Sequence, residues 1–243
     1  LFISDNGRPF PRDKTTLYDS GIKTPFIVHW PGHIAAGSQC NSLVSSIDIA
    51  PTFLEMAALS TPKVFEGRSF LPLLRNPQKS IRDYVFAERN WHDYEDRVRA
   101  VRNRRFKYIR NFYNDLPNTP PADVVRSVAY REMIRLRKED RLVDAQKNTF
   151  MQPRAREELY DVQVDPFELK KLAADPAQAK RLKRFRRTLA KWQQETGDTE
   201  PRFRTLDEFS REDGQARPVR ERPRPDKAEM TRRLEAYYRK QAK

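Results

Sequence analysis

Apolar and polar positions follow two different styles along this chain. Near its start, Leu1-Phe2-Ile3 and Phe26-Ile27-Val28 are continuous apolar runs. Such runs predict strands covered on both faces. Between them lies a polar loop over 4–23, punctuated by Gly7, Pro9, Pro11 and Gly21, and Pro31-Gly32 stops the second run. A helix is predicted over 45–59: Asp48 can cap it, Pro51 suits its first turn, and Phe53, Leu54, Ala57 and Ala58 share a face. The turn Glu66-Gly67-Arg68-Ser69 leads to an apolar cluster at Phe70, Leu71, Leu73 and Leu74. Strand, long loop, strand and helix in this order are α/β in character.

From about Arg82 the style changes. Tyr84–Glu88 reads as a strand. Val98–Arg102 and Phe106–Phe112 read as a hairpin turning at Asn103-Arg104-Arg105, and Glu158–Asp161 as a further short strand. These suit a small antiparallel sheet. A basic helix is expected around 129–143. In 177–195, Leu182, Phe185, Leu189 and Trp192 recur at helical spacing, a stripe for packing against the sheet. After Gly197 the chain is rich in Arg, Pro and Glu, which predicts a solvated, disordered tail.

Charge narrows the partners. The 243 residues are 37% hydrophobic and 34% charged, with a net charge of +14. That balance favours polyanions, whether nucleic acid, acidic glycan or anionic membrane. No run of about 18 apolar residues predicts a membrane span, and no signal peptide opens the chain. The single cysteine, Cys40, excludes an internal disulfide framework and a Cys-rich zinc site. Because the chain opens on Leu1 inside what reads as a core strand, residues upstream are expected.

Ser4-Asp5-Asn6-Gly7 places two hard oxygen donors at a strand end, where α/β sheets hold ligands; Asp, Asn and Gly together also favour a plain turn. The ordered series that follows changes the balance. It runs through Lys14, Tyr18-Asp19-Ser20-Gly21, Trp30-Pro31-Gly32, Ser46-Ile47-Asp48, Pro51-Thr52 and Gly67-Arg68-Ser69-Phe70-Leu71-Pro72. It ends with Glu158-Leu159-Tyr160-Asp161, Asp165-Pro166, Glu168 and Leu172-Ala173. This series resembles the second half of the type I sulfatases, within the alkaline-phosphatase-like superfamily. Phe10-Pro11 and Lys191-Trp192-Gln193 are most similar to the heparan N-sulfatase (sulfamidase) branch.

The resemblance implies an alkaline-phosphatase-like mixed sheet completed by 1–80, a small antiparallel sheet with a packed helix over 81–197, and a basic tail over 198–243. It implies that Asp5 and Asn6 supply two ligands to one divalent cation, usually Ca²⁺, whose other ligands lie outside this chain. Lys14 would grip the sulfate and stabilise the charge that develops on it. His92, in Asn90-Trp91-His92-Asp93, would line the substrate pocket with Asp93 orienting its imidazole; a surface histidine in a polar loop is the plainer alternative. The implied partners are a sulfated glycan and the N-terminal half of the enzyme, and the implied location is periplasmic or secreted.

One departure matters. The family's formylglycine comes from the first residue of Cys/Ser-x-Pro-x-Arg. Cys40 is followed by Asn41-Ser42-Leu43-Val44, so it is not that nucleophile. The chain alone is therefore expected to be inactive, a fragment of a hydrolase of sulfate esters or N-sulfates. Two alternatives stay open: a phosphonate or phosphodiester hydrolase of the same superfamily, and a non-catalytic basic module that binds polyanions. The basic hairpin with Arg102, Arg104, Arg105, Lys107 and Arg110 carries Phe106 and Tyr108 between them, an alternation also used for nucleic acid. No recognised nucleic-acid signature accompanies it, and no specific nucleic-acid partner is expected.

Overall fold

The computed structural model describes residues 1–202, 204–218 and 232. Two antiparallel sheets and a set of short helices make a mixed α/β architecture. The first sheet is a ribbon of two strands, β1 (Phe2–Ile3) and β2 (Phe26–Ile27), paired Phe2 to Ile27 and Ile3 to Phe26. Both apolar runs were expected to be covered on both faces. Instead Phe2 is 62% and Ile27 57% exposed. The ribbon has no third strand among the described residues, so only its inward residues find cover: Phe26 meets Phe70 edge to face at 5.3 Å. His29, which directly follows the second run, is likewise exposed.

The turn α1 (Asp19–Ile22) closes the loop between the two strands. The helix expected over 45–59 forms as a 3₁₀ turn, Ser46–Asp48, continued by α2 (Ile49–Met56). Its buried residues are Pro51 and Thr52, whereas Phe53 is 45% exposed, so the expected apolar face is turned outward. A polar lock decides this orientation. The fully buried Asp48 accepts hydrogen bonds from the Ser45 and Arg68 amides at 2.8 and 2.7 Å and pairs with Arg82. Thr52 Oγ1 accepts from the Phe70 amide at 2.9 Å. Gly67 has no room for a side chain, because a Cβ there would stand 1.9 Å from the Ile47 carbonyl. Phe70 then leads into α3 (Leu71–Arg75).

The second sheet runs in chain order: β3 (Val85–Trp91), β4 (Glu95–Arg102), β5 (Phe106–Asn111) and β6 (Glu157–Asp161). Its register pairs Ala100 with Ile109 and Tyr108 with Leu159. Between β5 and β6 come α4 (Ala122–Val125), α5 (Val128–Lys138) and α6 (Asp144–Lys147). Strand alternation gives the sheet two working faces. On one, Val98, Ala100, Ile109 and Tyr160 pack against Leu17 and Tyr18 of the first loop. On the other, Val101, Phe106, Tyr108 and Leu159 pack under α7 (Ala179–Thr196) through Leu182, Phe185 and Leu189. Gly197, at φ 66°, ends that helix.

The basic hairpin serves the sheet itself. Arg102 pairs with Asp19, Arg105 with Asp161 and Arg110 with Glu157. Lys107 is fully buried between Asp19 and Glu168. The expectation for the tail needs correction over its first part. Asp198 pairs with Arg99 and Arg97. Tyr94 donates to the Ser210 carbonyl at 3.0 Å, and Phe209 bridges to Ala216. This segment is ordered by buried cations and backbone groups of the sheet, a pattern that leaves no hydrophobic period. The rest of the expected tail lies outside the described residues, apart from Arg232.

Candidate functional site around Lys14

The loop after β1 is a closed ring. The Gly7 amide donates to the Gly21 carbonyl at 3.0 Å. The neck is tight: a Cβ on Gly7 would stand 2.1 Å from the Ser20 carbonyl, and one on Gly21 would stand 2.4 Å from the carbonyls of Asp13 and Thr16. Glycine is required on both sides by close approach. Asp5 and Asn6 sit just outside this neck. Asn6 Nδ2 donates to the Gly7 carbonyl at 2.6 Å, which leaves its side-chain oxygen as an acceptor. The Asp5 carboxylate is exposed, with no hydrogen bond or ion pair among the described residues.

Lys14 sits within the ring, and its amide donates to the Arg8 carbonyl at 3.1 Å. Its neighbours Arg12 and Thr15 have φ of 71° and 66°, in the left-handed region. For a β-branched residue such as Thr15 that is a strained conformation, costing on the order of 1–3 kcal/mol. The sheet unit holds the ring in this shape. Arg12 donates to the Phe167 carbonyl at 2.7 Å and lies 3.9 Å over the Tyr18 ring. Lys107 Nζ donates to the Leu17 carbonyl at 3.1 Å. Burial alone would raise the Asp19 carboxyl, but Lys107 and Arg102 hold it below its ordinary range.

The Lys14 ammonium reaches Asp123 of α4 at 2.8 Å, with the lysine side chain 22% and the aspartate 48% exposed. Partial burial raises the Asp123 carboxyl; Lys14 more than offsets this, and the net direction is down. His92 belongs to the same neighbourhood and also draws the Asp123 carboxyl down. It stands in the turn between β3 and β4, after a register shift between Arg89 and Trp91, the kind of irregularity that re-aims a strand end. Its Nδ1 lies 3.3 Å from Asp93 Oδ1. Asp93 Oδ2 accepts from the Ala122 amide at 2.7 Å. The first turn of α4 thus ties the two candidate substrate contacts together.

No hydrogen bond or ion pair among the described residues joins Asp5 or Asn6 to Lys14 or His92. Nor do any three His, Cys, Asp or Glu side chains among those residues converge as metal ligands. Two hard oxygens fit one side of a cation that takes roughly six to eight. Cys40 is exposed and free.

Three contributors were missed in the sequence. Asp123 sits in Pro121-Ala122-Asp123, which carries no chemical signature. The buried Arg89 holds the loop before α4 by donating to the Thr119 carbonyl at 3.3 Å. The segment 206–211 brackets the His92 turn: the Glu208 amide donates to the Asp93 carbonyl and the Glu95 amide to Asp207 Oδ1. The cavity beneath residues 15–18, about 20 Å³, has room for a water and not for a sugar. A ligand would meet Lys14 and His92 at the surface.

The family model described as N-sulphoglucosamine sulphohydrolase, C-terminal, matches residues 10–125. The chain is 36% identical over 200 residues to an ulvan-active sulfatase of Formosa agariphila, covering 82% of this chain and 33% of that protein. It is 32% identical over 216 residues to human N-sulphoglucosamine sulphohydrolase, covering 82% and 42%. This chain belongs to the sulfatase family. It represents a C-terminal region of that family, spanning 33% to 42% of the length of these curated sulfatases. Among solved sulfatases, a 2-O GAG sulfatase superposes with a TM-score of 0.52 at 25% identity, over 75% of this chain and 32% of that one. A protein solved with its substrate D-glucosamine-2-N,6-O-disulfate shares the fold, with a TM-score of 0.56 at 24% identity over 76% and 31%. The family-model match thus includes Lys14, the strands β3 to β5 and α4.

Proposed function

We propose that this chain is the C-terminal part of an enzyme that hydrolyses sulfate esters or N-sulfates of a glycan, sulfamidase-like in its motifs, and is inactive without the segment that carries the formylglycine. The observation that carries this reading is the convergence of Lys14 and His92 on the first turn of α4, in a ring opened by Asp5-Asn6. The names of its relatives, an ulvan-active sulfatase and an N-sulphoglucosamine sulphohydrolase, support a sulfated glycan as substrate, and a periplasmic or secreted setting is proposed with it on the family resemblance.

Each residue has a role in this reading. Asp5 and the Asn6 carbonyl oxygen would hold one side of a Ca²⁺-like ion, which when bound neutralises charge on the sulfate oxygens. The Lys14 ammonium has three donors: one is taken by Asp123, leaving two for sulfate oxygens. As the S–O or S–N bond breaks, negative charge grows on those oxygens and on the leaving atom, and a fixed ammonium favours that change over the bound substrate. With Nδ1 facing Asp93, the other ring nitrogen of His92 is free to meet the sugar.

The test uses the protein with its upstream half. Lys14→Ala and Asp5→Ala are each expected to lower kcat for a monosulfated sugar by roughly 10²–10³-fold. Binding to immobilised heparin should stay within about twofold. Turnover at the unmodified rate in both variants, or faster hydrolysis of phosphonate esters than of sulfates, would overturn the reading.

A further inference from the structure

The basic residues that stand out in the sequence are not the ones left unpaired in the fold. Of the hairpin cations, Arg102, Arg105, Lys107 and Arg110 are committed to Asp19, Asp161, Glu157 and Glu168. The α7 helix differs. Its inner stripe is buried on the sheet, and Arg186 is committed to Glu157. No acidic residue occurs between Pro176 and Gln194. Lys180, Lys183, Arg184 and Arg187 are exposed on its outer side and take no acidic partner among the described residues. They recur on successive turns, about 5 Å apart along the axis. Arg181 lies 3.7 Å over the Phe106 ring, which seats the start of α7 against the hairpin.

We infer that this outer ridge of α7 is a second contact surface for a sulfated polysaccharide, separate from the site that takes one sugar. The choice of a sulfated glycan among polyanions rests on the sulfatase reading; the ridge itself rests on its uncompensated charge. A rigid helix holds the cations at fixed intervals, so binding them costs little ordering. Arginine and lysine on neighbouring turns meet sulfates on neighbouring sugars by charge-assisted hydrogen bonds. The ridge lies across the sheet from the Lys14 ring, since the ring packs on one sheet face and α7 on the other. The helix alone is about 10 Å thick, so a monosaccharide cannot touch both surfaces and a longer chain can. The ridge retains the polymer while single units are presented to the site.

The decisive variant is Lys183→Gln/Arg184→Gln/Arg187→Gln in the protein with its upstream half. A control removes equal charge elsewhere through Arg75→Gln/Arg131→Gln/Lys138→Gln, all exposed. Thermal unfolding confirms that both fold. Against a heparin dodecasaccharide, the ridge variant should bind at least tenfold more weakly, with a shallower dependence on salt. The control should change less than threefold. KM for long sulfated chains should rise in the ridge variant while kcat/KM for a monosulfated sugar stays within twofold. Equal losses in ridge and control variants overturn the ridge. An equal loss against DNA or phosphatidylserine vesicles of matched charge overturns the choice of a sulfated glycan. A protein that releases no sulfate from any sugar, yet still loses heparin through the ridge variant, refutes the enzymatic reading and not the surface.

Discussion

Residues 1–80 and the sheet unit that follows put their side chains to opposite uses. In the first region Phe2, Ile27 and Val64 stand largely in solvent. In the second, even cations are buried: Lys107 is fully enclosed and Arg99, Arg154 and Arg89 are nearly so. An exposed phenylalanine forgoes burial energy but breaks nothing. A buried cation is stable only while every partner is in place. The sheet unit is therefore held by complete polar sets, and the first region by a few locks that bind it to itself and to the sheet. The candidate site lies where the two meet, its ring drawn from the first region and fixed by the cations of the second.

Breaking one complete set is the largest test of that contrast. Lys107→Met removes the ammonium shared by Asp19, Glu168 and the Leu17 carbonyl. It leaves two buried carboxylates facing each other, which should cost about 3–5 kcal/mol of unfolding free energy in urea titrations. Arg104→Met, on the same hairpin but exposed, should cost less than about 0.5 kcal/mol. Similar costs for the two would erase the distinction.

Acid probes the next set. Arg99 donates two hydrogen bonds to Asp198, at 2.8 and 2.7 Å, and holds that carboxyl at about 2. A carboxyl depressed in the folded state adds stability that is present above its ordinary range near pH 4. That stability is lost as pH falls towards about 2. The contribution is about 2 kcal/mol. Urea midpoints measured from pH 5 down to pH 2 should therefore fall less steeply in Asp198→Asn than in the unmodified chain. Parallel slopes would mean that the segment after α7 is not anchored through this pair.

How much of this was legible follows the same division. The hairpin could be read because a period of two and the turn Asn103-Arg104-Arg105 are local facts, and the register of β4 and β5 obeys them. α7 was legible from its stripe, which is buried as spacing requires. The candidate loop was legible only in part. Asp5, Asn6, Lys14 and His92 could be named from motif order. That Gly7 and Gly21 form a neck is a contact across the chain that no local pattern encodes. Asp123 was missed for the same reason: its role exists only because α4 is carried to Lys14 by Arg89 and Asp93. The docked segment after Gly197 was misread because composition counts charges and cannot show that Asp198 has a buried Arg99 waiting for it.

The smallest effect separates polar locks from apolar faces inside the first region. Thr52 and Phe53 are neighbours on α2, one fully buried and the other 45% exposed. Thr52→Val keeps the shape but strands the Phe70 amide, whose acceptor is Thr52 Oγ1; a buried donor left unmade costs about 1–3 kcal/mol. Phe53→Ser removes a far larger apolar group, but with nearly half of that group already in water it should cost no more than about 1 kcal/mol. The order of the two costs, with the smaller chemical change giving the larger loss, follows only if the Asp48–Thr52–Phe70 lock fixes the helix. If Phe53→Ser proves the costlier in thermal unfolding, α2 is held by its apolar face, and the two regions are stabilised by the same means.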